Sequence, residues 1–260
     1  MTHASRGGPC YVYGIVPAAA PVPGGHVAGV GKAGHVAAVP CGRVAAIISP
    51  LAADQPLGTP ADLRAHASVV DVLAQSAAVL PMQFGGVLAD EGAVLAELLE
   101  PYEAEFAERL DMLAGHDQFT VRGRYEHDAP LREIVAEEPG VMRLRERLRG
   151  KDDAAGQDPA SRGEAIRLGE LVARALELKQ AADTRTLART LAPHAAAVVE
   201  HAPATPGTAV DVAFLVARTH RGDFEQAAEE LGRAWRDRIR LRLTGPLAPY
   251  DFASLQQRWG

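Results

Sequence analysis

The apolar residues of this chain change their period several times, and each change marks an element. Residues 10–16 (CYVYGIV) combine aromatic and β-branched side chains and end at Pro17, ahead of a Pro/Gly-rich stretch to Gly25. That is the pattern of a strand running out into a loop. Residues 35–39 and 43–49 flank Pro40-Cys41-Gly42 and read as a hairpin, with adjacent Ile47 and Ile48 implying burial on both faces. A helical period takes over at Thr59. Thr59 suits the N-cap, Pro60 the first helical position and Asp62 the positive end of the dipole. Leu63, Val69, Val70, Leu73 and Ala77 supply its apolar stripe. Residues 79–84 (VLPMQF) form a short extended segment, because Pro81 disfavours the α conformation at Leu80; Gly85 and Gly86 then permit a turn. Asp90 caps a second helix reaching about Leu113. Its stripe is Val94, Leu95, Leu98, Leu99, Tyr102, Phe106, Leu110 and Leu113, and Pro101 predicts a kink or a break.

Residues 117–125 look like a second beginning. Phe119, Val121 and Tyr125 alternate with Thr120, Arg122 and Arg124, the period of a half-buried strand. A charged helix is predicted over 132–149. Residues 150–163 (GKDDAAGQDPASRG) read as a flexible loop ending in a capping box, Ser161 to Glu164. Helices are expected over 164–179 and 183–201, stopped by Pro203 and Pro206. Residues 209–218 (AVDVAFLVAR) are almost continuously apolar and read as a strand covered on both faces. Asp223 and Gln226 resemble another capping box, opening a helix with Phe224, Ala227, Ala228, Leu231 and Trp235 inward. In the last strand, 238–244, Ile239, Leu241 and Leu243 face one way and Arg238, Arg240 and Arg242 the other. Gly245, Pro246 and Pro249 enforce an irregular exit. The sum is an α+β chain of two domains: a mixed α/β N-terminal domain, 1–116, and a C-terminal domain, 117–260. The latter reads strand, helices, strand, helix, strand. One further short strand would make it ferredoxin-like with a helical insertion.

Composition narrows the function classes. A length of 260 residues allows one large or two modest domains. Apolar residues make up 47% but aromatics only 5%, so the cores are aliphatic. A net charge of −6 lacks the basic footprint of a nucleic-acid binder. Two cysteines, Cys10 and Cys41, are too few for a disulfide framework and read as reduced thiols. Residues 1–9 are small and polar, expected to be disordered, without the apolar core of a signal peptide. No apolar run reaches the roughly 20 residues that span a bilayer. A soluble cytoplasmic protein is expected.

Candidate chemistry is sparse. Gly29, Gly31 and Gly34 match a dinucleotide fingerprint, but a predicted hairpin follows where that motif requires a helix; Lys32 has no P-loop around it. His194 and His201, seven apart on a predicted helix, stand too far apart to chelate one metal, and no cysteine pair completes a zinc site. His35 lies near Cys41, but no further group completes a nucleophile–base arrangement, and no serine sits in a nucleophile elbow. No catalytic, metal or cofactor residue is therefore assigned. The prominent constellation is basic. If 117–125 and 238–244 are sheet neighbours, Arg122, Arg124, Arg238, Arg240 and Arg242 share one face. It is then either a solvated face matched by carboxylates or a docking surface for an acidic or polar partner.

Three segments carry a resemblance. Residues 11–16 (YVYGIV), 79–85 (VLPMQFG) and 244–252 (TGPLAPYDF) are similar, in this order and spacing, to the opening strand, the VLPMRFG segment and the terminal TGPLPPYSF of the gas vesicle protein F/L family. Gln83 stands where that family has arginine, and Ala248 where it has proline. The resemblance covers nearly the whole chain. It implies a non-enzymatic accessory protein of gas vesicle formation, without cofactor, in the cytoplasm or on the vesicle, with a ferredoxin-like C-terminal domain. Its implied partners are the small hydrophobic shell protein and other accessory proteins. Leu80, Met82 and Phe84, with Tyr250 and Phe252, are candidate contact residues, or alternatively core. A ligand-binding regulatory module using the arginine face is the rival reading, and an unrecognised enzyme ranks last.

Overall fold

The computed structural model describes residues 7–22, 27–31, 35–52, 56–149, 159–203, 205 and 207–253, with 159 and 160 by backbone alone. Residues 1–6 of the expected tail, Gly25, Lys32, Gly34, Pro206 and residues 150–158 of the expected loop lie outside them. The chain divides into two compact units, residues 1–119 with 215–219 and 245–260, and residues 120–214 with 220–244.

The first unit is built on strand β1 (Cys10–Pro17), every residue of which is buried except Pro17. It pairs antiparallel with β3 (Val44–Pro50), Cys10 opposite Pro50 and Pro17 opposite Val44, with a bulge between Val12 and Gly14. Strand β2 (Ala37–Cys41) completes the predicted hairpin. Cys41 faces Val44, leaving Gly42-Arg43 as the turn, and Gly42 has φ 55°. Glycine at the first central position matches a type II′ hairpin, whose twist suits the strands. Two short strands extend the sheet beyond the three predicted, β4 (Leu80–Pro81) and β5 (Val87–Leu88), in the order β2-β3-β1-β4 with β5 also on β1. Two residues are too few to display a period, which is why β5 escaped the sequence reading.

Helix α1 (Pro60–Ser76) starts as predicted, with a reciprocal capping box: Asp62 N donates to Thr59 Oγ1, and Thr59 N to the Asp62 carboxylate. Its Val69, Val70 and Leu73 join Tyr11, Tyr13, Val30 and Ile47 in the core; Leu63 is nearly half exposed instead. Asp90 caps α2 (Glu91–Ala93), which passes into a π-helical stretch (Val94–Leu99), a 3₁₀ turn (Glu100–Tyr102) and α3 (Glu103–Leu113). Pro101 lacks the N–H that an α-helix needs there, so the helix widens before it and tightens across it.

The second sheet has the order β7-β8-β6-β9. Its strands are β6 (His116–Tyr125), β7 (Ala197–Glu200), β8 (Thr208–Ala217) and β9 (Ile239–Leu247). Strand β6 runs antiparallel to β8, since Tyr125 N bonds Gly207 O and Arg218 N bonds Gly115 O at opposite ends. Four helices follow the chain: α4 (Ala129–Glu137), α5 (Pro139–Arg149), α6 (Pro159–Leu191) and α7 (Arg221–Trp235).

The structure departs from the sequence expectations at four places. The helix expected over 132–149 begins at Ala129 and is split at Glu138, because Pro139 disfavours the α conformation before it. The two helices expected over 164–179 and 183–201 are one, α6, followed by a 3₁₀ turn (Ala192–His194) and β7. Ser161 therefore lies within α6, two residues past its start, and is buried. Helix α7 starts at Arg221, ahead of Asp223, with no side-chain cap. A capping-box spacing inside a longer helical run is common chemistry without a terminus. Cys10 and Cys41 are free thiols.

Candidate functional site

The three family-like segments meet at a residue the sequence reading passed over. His66 sits on the apolar stripe of α1, one turn before Val69 and Val70, and is 4% exposed. Tyr11 of β1 places its hydroxyl 2.9 Å from His66 Nδ1. Tyr250, in the 3₁₀ turn Tyr250–Phe252, places its hydroxyl 3.1 Å from His66 Nε2. Gly85 N donates to the Tyr11 hydroxyl at 3.1 Å. In the Nε2–H tautomer, Tyr11 accepts from Gly85 and donates its own proton to Nδ1, and Nε2–H faces the Tyr250 hydroxyl. Phe84 packs edge-on against His66 at 5.8 Å and lies 5.9 Å from Tyr11, while Tyr13 stacks on His66 at 5.8 Å. Burial drives the His66 pKa down, against the Met82 backbone, which favours the charged ring. Burial also raises Tyr11 and Tyr250, each to about 12, so both hydroxyls keep their protons at neutral pH.

Segment 79–85 adds a main-chain link. Leu80 is opposite Ile15, Pro81 opposite Gly14, and Met82 N donates to Tyr13 O. Leu80 and Phe252 are core residues, 4% and 1% exposed; Met82 and Phe84 are half-buried, and Tyr250 is 39% exposed. Of these five candidates, Tyr250 alone is an exposed residue.

The arginine constellation also needs one correction. Arg122, Arg124, Arg240 and Arg242 line one hollow of about 730 Å³, together with Thr205, Thr208 and Asp211. Arg238 does not join them. It precedes β9 by one residue, so strand alternation does not bind it. Its guanidinium chelates Asp183 of α6 (2.7 and 2.8 Å) and bonds Glu133 of α4 (2.7 Å), beside the Tyr125 ring. Lys179 completes the network, 2.8 Å from Glu133 and 2.9 Å from Glu137, and Tyr125 donates to Asp183 at 2.7 Å. Burial alone would raise the Glu133 carboxyl, but Arg238 and Lys179 hold it below the ordinary range. Tyr125 therefore points toward α6, on the same side as Arg238 and not opposite to it.

His194 and His201 lie on a 3₁₀ turn and just past β7, not on one helix. Among the described residues, no three His, Cys, Asp or Glu side chains are grouped to hold a metal, and no helix is long and apolar enough to cross a membrane.

These features define a class: an α+β protein of two antiparallel sheets whose three marked segments are joined through a buried histidine. The chain belongs to the gas vesicle synthesis protein GvpL/GvpF family, whose model matches residues 9–254. It is 32% identical over 244 residues to gas vesicle protein F of Streptomyces sp. (strain CB03234), covering 93% of this chain and 98% of that protein. It is 27% identical over 177 residues to gas vesicle protein F of Nostoc sp. (strain PCC 7120 / SAG 25.82 / UTEX 2576), covering 68% and 70%. The crystal structure of GvpF from Anabaena sp. PCC7120 superimposes with a TM-score of 0.76 at 25% identity, covering 96% of this chain and all of that one. The resemblance carried by the three segments is borne out, and with it the family.

Proposed function

We propose that this protein serves gas vesicle formation as an accessory protein that binds the small hydrophobic shell protein and other accessory proteins, and that it catalyses no reaction. The observation that carries this reading is the family match over residues 9–254, which takes in all three segments that meet at His66. The physical need is plain. An unassembled shell subunit exposes apolar and strand-edge surface and is prone to aggregate. A partner holding that surface until assembly removes the hazard. Tyr250, with the half-buried Met82 and Phe84, is the part of the marked segments available for such contact.

On this reading the protein works in the cytoplasm or on the vesicle. We also read the chain as two α+β domains meeting near residue 116, the second ferredoxin-like. The strand order β7-β8-β6-β9, with helices between β6 and β7 and between β8 and β9, supports that assignment.

Capture of tagged shell protein from solution tests the function. Wild type is expected to retain it, and Tyr250→Ala and Phe84→Asp to lose it while keeping native circular dichroism. Electron microscopy of cells lacking the gene is expected to find no normal vesicles. Normal vesicles in those cells would overturn the reading, and equal capture by folded variants would remove Tyr250 and Phe84 from the contact.

A further inference from the structure

We propose that the hollow lined by Arg122, Arg124, Arg240 and Arg242 is a recognition site for an extended acidic segment of a protein partner, with carboxylates at alternate positions.

Strand register sets these arginines against one another. Glu126 N bonds Arg238 O across the antiparallel pair β6 and β9. Counting along from that bond puts Arg124 opposite Arg240 and Arg122 opposite Arg242. Directly opposed like charges destabilise a sheet, and two such pairs stand side by side. Local carboxylates answer part of this charge: Arg122 Nε is 3.0 Å from Asp211 Oδ2, and Arg240 Nε is 2.7 Å from Glu126 Oε1. Arg242 has no ion pair among the described residues. A basic patch of this density stands out in a chain of net charge −6.

A second observation is independent of charge. Asp211 is 7% exposed and lines the hollow, and its Oδ1 is buried without a hydrogen-bond partner. Such an acceptor is costly to leave unmet. A ligand that satisfies the whole site brings anions for the guanidiniums and an N–H or O–H donor for Asp211 Oδ1. A peptide carries both. Side chains on one face of an extended peptide recur about every 6.8 Å, the spacing of Arg122 to Arg124 and of Arg240 to Arg242 along their own strands. Carboxylates at alternate residues thus meet the arginine rows in step, and a backbone N–H is left for Asp211. The planar guanidinium also favours a carboxylate in two-point contact. The described residues that wall the hollow are strand residues with Thr205 from the loop before β8, and no helix N-terminus, a usual phosphate cradle, is among them.

The nature of the partner rests on the accessory-protein reading; the peptide chemistry does not. The test is fluorescence anisotropy of the full chain with a fluorescein-labelled peptide alternating serine and glutamate, beside an isomer with its glutamates contiguous. The alternating peptide is expected to bind more tightly than its isomer. Arg242→Ser and Arg124→Ser are expected to weaken it by about tenfold or more, and Arg242→Lys by less, since lysine keeps the charge and loses the fork. Both residues are exposed, so the variants keep their fold, which circular dichroism checks. Absence of binding, equal affinity for the two isomers, or indifference to the substitutions would overturn the proposal. Displacement by inorganic phosphate at equal charge would overturn it too, in favour of a small-anion site. Shell protein still captured by wild type when the peptides fail sinks this inference alone. Normal vesicles without the gene, with peptide binding intact, sink the accessory-protein reading alone.

Discussion

The Tyr250 hydroxyl lies 3.1 Å from His66 Nε2, across a separation of 184 residues. His66 Nδ1 is taken by Tyr11, so one imidazole ties the start of the chain, the first helix and the end together. Tyr250→Phe removes the hydroxyl facing Nε2 and is expected to cost about 1–2 kcal/mol, the penalty of losing a partner to a buried polar group. Tyr11→Phe is expected to cost more, because Gly85 N loses its acceptor as well and the site is fully buried. Urea unfolding of both variants checks the order; a larger loss for Tyr250→Phe would contradict this geometry.

The same histidine makes stability depend on pH. Its folded pKa is depressed below the ordinary 6.5, so the unfolded chain takes up the proton first as pH falls. The full contribution is present above 6.5 and is lost as pH drops from there toward the lowered folded value. His66→Gln cannot titrate. Melting temperatures measured from neutral to mildly acidic pH should fall more for wild type than for this variant, and parallel curves would show that His66 does not carry the dependence.

His66 was legible before any coordinates, because positions 66, 69, 70 and 73 share the spacing of the α1 stripe, and a histidine inside such a stripe must find partners. Asp211 gave a similar signal as the lone acidic residue in the apolar run 209–218. The long strands, the hairpin and the first two helix caps could be read because each rests on local chemistry. What could not be read depends on length or on distant partners. Strands β5 and β7 have two and four residues, too short for a period. The start of α6 was misplaced because capping-box spacing, as at Ser161 and Glu164, also fits residues within a helix. Arg238 leaves the arginine face for Asp183 and Glu133, residues 55 and 105 positions away, a choice no strand pattern records.

Gly14 shows how one marked segment shapes another. A Cβ there would stand 2.7 Å from Leu80 O and 3.2 Å from Val79 Cγ2, so the opening strand and the VLPMQFG segment touch only because this side chain is absent. The obstacle is backbone and cannot rotate away. Gly14→Ala is therefore expected to destabilise by about 2–3 kcal/mol or more through overpacking. Denaturant unfolding checks it, and a change below roughly 0.5 kcal/mol, the range of ordinary surface substitutions, would mean that the two strands can part without cost.

Arginines of one sequence pattern should respond in two different ways. Arg238 is 27% exposed at its side chain and answers two carboxylates that are themselves largely buried. Arg238→Ala leaves Asp183 with the Tyr125 hydroxyl and Glu133 with Lys179, and with some solvent access remaining we expect a loss of about 2–3 kcal/mol, somewhat under the figure for fully buried pairs. Arg240 bonds Glu126 from a side chain 78% exposed, so Arg240→Ala should stay within about 1 kcal/mol of wild type. The acid side adds a check on Arg238. The folded Glu133 carboxyl is held below its ordinary pKa of 4.5, so its contribution is complete above that value and disappears as pH falls through the lowered one. Removing Arg238 takes away part of that depression, and the variant should lose less stability than wild type over the same acid range. Unfolding free energies for the three proteins at neutral and acid pH decide the matter; equal losses for Arg238→Ala and Arg240→Ala would show that the chelated guanidinium holds nothing that a solvated one does not.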